Sequence, residues 1–185
     1  MSGSNRLSTA EAIVAAGFAV FSRDPSASLS VVAEAAGVGR ATLHRYFPSR
    51  DNLLGELARI AVLEMDDAVE AACADAQTAA DVLEMSLHAL VPLADRHGFL
   101  GHLTADVDGA HQVEFRRQQS ETEEMFEAAK EEGVFDRAVP TSWLVQAHEF
   151  LLYAAWESIR TGKATADQAA QLAWRTLRNG LEDQG

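Results

Sequence analysis

Between Arg40 and Arg50 the chain reads RATLHRYFPSR, which puts three arginines, a histidine and a tyrosine into eleven residues with no acid among them. Such a set suits a polyanion. Guanidinium groups pair with guanine edges and phosphates, and hydroxyl, imidazole and phenol groups add further donors. On a helix from about Arg40 to Phe47, at about 100° per residue, Leu43 and Phe47 share one side and face a core. Arg45 points the opposite way, flanked by Ala41 and Thr42. Arg40 and His44 lie on one shoulder and Tyr46 on the other. A duplex would meet an arginine, a small residue and a hydroxyl centrally, with Ala41 placed to touch a thymine methyl and edge donors placed for phosphates. Arg50, just past Ser49 at a helix start, combines a cation with free backbone N–H groups and is expected to clamp a phosphate.

Two short helices must position these groups. The first is expected from a cap at Ser30 to Gly37, with Val32, Ala33 and Ala36 as its narrow apolar face. Gly37-Val38-Gly39 is the turn, because glycine takes the left-handed conformation that ends a helix at no Cβ cost. A pair joined this way is a helix-turn-helix, whose second helix can enter the major groove. The same spacing also fits two short helices that merely pack a core beneath a solvated arginine face. The absence of acids from Arg40 to Arg50 favours DNA.

The surrounding charge is opposite. The 185 residues carry a formal net charge of −13. Residues 1–60 hold six arginines against five acids, so the remaining 125 residues carry −14. An acidic body repels polyanions at long range, and a basic patch at one end sets the orientation in which one is tolerated. The lone cysteine, Cys73, excludes an internal disulfide and a cysteine-based metal site. No apolar run approaches the roughly 20 residues that span a bilayer. The start lacks the basic-then-apolar signal design, so no membrane and a cytoplasmic location are expected.

Helical periodicity runs through the chain and predicts an all-α fold of about nine helices. Ser8-Thr9-Ala10-Glu11 is a capping box for a first helix bearing Ile13, Ala16, Gly17, Val20 and Phe21. Ser49 caps a long helix running to about Ala74. A fifth helix spans Thr78 to Arg96, kinked or shortened at Pro92. A short helix and loop are expected over 98–108, a long exposed helix over 112–132, and helices from Pro140 to Arg160 and, after the capping box Thr165–Gln168, to about Gly180. Residues 1–50 are read as the helix-turn-helix unit and 51–185 as a body for ligand binding and dimerisation.

The block from Thr9 to Leu57, with its alanine-rich first helix ending in Phe21 and its VAEAAGVGRATLHRYFPSRDNLL run, resembles the DNA-binding head of TetR-type transcriptional regulators. The resemblance implies a mostly nine-helix homodimer that represses transcription from an operator and releases it when a small-molecule effector binds. It also implies DNA contacts at Arg40, Ala41, Thr42, His44, Arg45, Tyr46 and Arg50. Where His44 stands the family often has tyrosine, which makes a phosphate contact there weaker or pH-sensitive.

In the body, small residues along the last two helices suggest a close helix–helix interface between subunits: Leu144, Ala147, Leu151, Ala154 and Ser158, with Ala166, Ala170, Ala173 and Leu177. The same faces could pack within one protomer. Polar or soft groups on otherwise apolar helices are the effector-site candidates: Met85, His88, Phe99, His102, His148, Leu152 and Trp156. Five body histidines invite a metal. No HxxxH or HExxH spacing occurs, however, and no metal or other cofactor is expected. A helical enzyme using His97, His102, Asp106 and Asp108 is an alternative, but no nucleophile–base pairing supports it. An interaction module that has lost DNA binding is a third, opposed by the intact basic helix.

Overall fold

The structure is a computed structural model and describes residues 7–102 and 111–181. Among these, all regular structure is helical: eight helices of seven residues or more and one single turn. They are α1 (Thr9–Phe21), α2 (Leu29–Ala35), α3 (Arg40–Tyr46), α4 (Arg50–Ala72), α5 (Ala79–Leu90), the single turn α6 (Ala94–His97), α7 (His111–Glu131), α8 (Thr141–Arg160) and α9 (Ala166–Leu181). Two 3-10 segments, Val91–Leu93 and Gly98–His102, flank α6.

Local chemistry fixes most helix starts. Capping boxes open α1 at Ser8 and Glu11, α4 at Ser49 and Asn52, and α5 at Thr78 and Asp81. Before α9, Thr165 and Gln168 exchange backbone-to-side-chain bonds in the same way. Each cap satisfies orphan N–H groups of a first turn. At α2 the start differs from expectation. Ser28, not Ser30, is the N-cap residue, and its carbonyl, not its side chain, receives the first bond, from Val31 N. Pro92 ends α5 and converts the next turn to a 3-10 helix, because proline has no N–H to give.

Two cores form. The head core joins Ile13, Phe18 and Phe21 of α1, Val32 and Ala33 of α2, Leu43 of α3, and Leu53, Leu54, Leu57 and Ala61 of α4. The body core joins α4 from Met65 onward to α5, α7, α8 and α9. One helix is therefore shared by both, and a boundary at residue 50 would cut the head core in two. Gly17 lets α1 lie close on α4: a Cβ there would sit 3.0 Å from Leu57 Cδ1.

Candidate nucleic-acid interface

The turn before α3 is built as its glycines require. Gly37 has φ +66°, which an L side chain rarely adopts. Val38 N then donates to Ala33 O at 2.9 Å and closes the end of α2. On α3, Leu43 is 1% exposed and seats the helix on the head core. Arg40, Ala41, His44, Arg45 and Tyr46 all face solvent, and Thr42 is half-buried. The arrangement expected from the sequence holds side by side: apolar inward, basic outward. The Arg45 guanidinium rests 5.4 Å from the Tyr46 ring centroid, a cation–π contact that steadies it.

Arg50 departs from expectation. Its Nε donates to Ala27 O at 3.3 Å, its Nη2 donates to Pro25 O, and its guanidinium lies 5.2 Å from the Phe21 ring centroid. The group is half-buried and turned toward the α1–α2 loop. Two of its donors engage backbone carbonyls, so it braces that loop against α4.

A second polar cluster, which sequence reasoning missed, joins head to body. Glu64 of α4 accepts from Arg96 Nε and Nη2, each at 2.7 Å, and lies 2.7 Å from His97 Nε2. Ser22 Oγ, at the end of α1, donates to the Arg96 carbonyl at 3.1 Å. Phe18 meets the edges of His97 and Phe99 at ring distances of 6.0 and 5.8 Å. Burial pushes the His97 imidazole below its ordinary value, against the opposing pull of Glu64. Phe99, expected at an effector site, instead belongs to this joint: it is 2% exposed and packs into the head core.

Of the other effector candidates, Leu152 and Trp156 belong to the body core, and His148 is buried on the same helix against Phe126 of that core. Trp156 Nε1 donates to Leu90 O at 3.0 Å and its ring packs on Tyr153. His148 packs edge-on against Phe126 at 5.9 Å, and Phe126 in turn meets Phe135 at 5.5 Å. Burial lowers the His148 imidazole to about 4, so the ring is neutral at pH 7, and its Nε2 has no protein partner. Met85 and His88 flank the buried face of α5 and are half-buried. The His102 side chain, Asp106 and Asp108 lie outside the described residues. Among the described residues, no three His, Cys, Asp or Glu side chains are grouped to hold a metal ion. An open groove of about 580 Å³ between α7 and the start of α8 is lined by Glu123, Glu124, Glu127 and Glu131 and contains none of the candidates. Its carboxylates face water.

The proposed subunit interface is also redistributed. Leu144, Ala170, Ala173 and Leu177 are at most 4% exposed inside the protomer, so a second subunit does not reach them. Ala147, Leu151 and Ala166 are half-buried against the same core. Ala154 is exposed, and Ser158 Oγ donates to its carbonyl at 2.8 Å. The unpartnered apolar side chains are Trp143 and Phe150 on α8, 59% and 67% exposed, and Leu172 on α9. With Ala147 and Ala154, Trp143 and Phe150 recur at helical spacing along one stripe. That spacing is visible in the sequence.

The family model described as bacterial regulatory proteins, tetR family, matches residues 13–57. The HTH-type transcriptional repressor LfrR of Mycolicibacterium smegmatis is 51% identical over 51 residues, which are 28% of this chain and 27% of that relative. The match thus spans about a quarter of the relative's length. A crystal structure of the TetR-like transcriptional regulator LfrR from Mycobacterium smegmatis in complex with proflavine is similar over 95% of this chain and 97% of that one, with TM-score 0.77 and 26% identity. The MbdR regulator from Azoarcus sp. CIB shares the fold, with TM-score 0.72 and 17% identity over 95% of this chain and all of that one. Among the described residues, no helix is long and apolar enough to cross a membrane.

Proposed function

We propose, from the match of residues 13–57 to the family model of bacterial regulatory proteins, tetR family, that the chain is a dimeric, ligand-responsive transcriptional repressor. The observation that carries this reading is α3: an outward row of Arg40, Ala41, His44, Arg45 and Tyr46 on a helix anchored by Leu43. In a two-fold dimer, two such helices read half-sites of a palindromic operator about 34 Å apart. Arg45 is the central base reader. Arg40, His44 and Tyr46 meet the backbone, together with the leading N–H groups of α4. The subunit partner is a second copy, joined through Trp143, Phe150 and Ala154 of α8 and Leu172 of α9.

The effector enters the aromatic cluster around His148. It is an apolar, aromatic molecule with one hydrogen-bonding group, which satisfies the unpartnered His148 Nε2. The structure of LfrR with proflavine supports an aromatic effector. To release DNA, the effector must bind the DNA-incompetent arrangement better, and DNA must weaken effector binding by the same factor. Selection of bound sequences from random duplex DNA tests the reading. It should return an inverted repeat whose affinity falls steeply with salt. Absence of enrichment, or binding indifferent to salt, ends it.

A further inference from the structure

His44 is the sole histidine of the head; His88, His97, His102, His111 and His148 all lie beyond residue 87. It stands exposed in the last turn of α3, next to Arg45 and one turn after Arg40. Its Nδ1 lies 3.3 Å from the carbonyl oxygen of Pro48. A carbonyl oxygen only accepts, so Nδ1 is the nitrogen that carries hydrogen and donates. A neutral imidazole has one N–H. With that hydrogen held at Nδ1, Nε2 is a bare lone pair, which repels a phosphate oxygen. A second proton changes the sign of the contact: Nε2–H becomes a charge-assisted donor.

From this geometry we infer that His44 contacts the DNA backbone only in its doubly protonated form, so that each head takes up a proton on binding a duplex. The inference rests on the reading of α3 as the DNA-facing helix. The charged residues of α3, of α2 packed against it and of the start of α4 are Arg40 and Arg45, Glu34, and Arg50 and Asp51. Arg50 is turned away to Pro25 and Ala27. Arg40 and Arg45 oppose a third positive charge on this surface, and a nearby phosphate offsets them. The proton is therefore held more tightly in the complex than in the free protein. The affinity it contributes is present at low pH and is lost as pH rises.

The experiment compares the full-length protein with His44→Gln and His44→Lys on a duplex enriched from random sequence by the protein itself, at constant ionic strength. Because His44 is exposed, neither change disturbs the core. Wild-type affinity should fall on the order of tenfold from about pH 6 to about pH 8, with proton uptake seen calorimetrically as an enthalpy that depends on the buffer. His44→Gln should lose that component of the pH dependence, and His44→Lys should keep the low-pH affinity throughout. Parallel pH profiles for all three proteins, or a flat wild-type profile, overturn the inference while leaving the DNA reading intact. Failure of all three to bind any duplex overturns both.

Discussion

Arg96 holds its guanidinium 4.1 Å from the centroid of the Phe18 ring while its Nε and Nη2 donate to Glu64. One side chain of the body thus touches α1 of the head and α4 at once. Arg96→Ala removes the cation–π contact and leaves the partly exposed Glu64 with only His97. The expected cost is about 1 kcal/mol, since surface ion pairs add little. The more telling readout is cooperativity: head and body should unfold in less coincident transitions, seen as a lower denaturant slope when probes in each core are followed.

Arg45 and Arg50 should separate into a reader and a brace. Arg45→Ala is expected to leave thermal stability unchanged but relax base preference at one position per half-site, costing ~1–3 kcal/mol of binding. Arg50→Ala should lower the melting temperature by freeing the Pro25–Ala27 loop, with base preference retained at whatever affinity remains. Parallel melting and sequence-selection profiles on both variants check this.

The neutral His148 sets an acid limit. Its folded value of about 4 lies below that of a histidine in an unfolded chain, about 6.5, so the unfolded state binds the proton more readily between the two. Stability is therefore full above about pH 6.5 and falls as pH drops toward 4. The loss is about 2 kcal/mol at pH 5 relative to pH 7. The lowered His97 acts in the same sense. His148→Leu should flatten much of this dependence in urea titrations at the two pH values.

Charge placed on the two faces of the last helices should have different consequences. Phe150→Glu, on the 67% exposed side chain, should give a folded monomer. Ala170→Glu, at a site 1% exposed within the protomer, should instead unfold the body, because it buries an unpaired carboxylate. Sedimentation velocity with circular dichroism distinguishes the two outcomes.

What the sequence made legible was short-range. The orientation of α3 follows from Leu43 and from the local absence of acids, and the caps at Ser8, Ser49 and Thr165 are written within four residues. What it hid is contact at long separation. Arg50 finds carbonyls 23 and 25 residues back, and Ser22 meets Arg96 across 74 residues. Phe99 reads as an ordinary body aromatic until Phe18 is found beside it. On α8, Leu144 and Phe150 are both apolar, and nothing local says which faces inward. That choice is made by α7 and α9 packing on one side only.

The helix shared by the two cores has a mechanical meaning. Its 23 residues form a rod about 34 Å long, at 1.5 Å per residue. A tilt of about 5° at the body end swings the head end by about 3 Å, and the two-fold symmetry of the proposed dimer would double that to about 6 Å between heads. A hydrogen bond tolerates only a few tenths of an ångström before it weakens. In the proposed dimer, an effector that repacks one aromatic side chain in the body core would therefore detune both heads without melting a single turn, because the rod supplies the amplification.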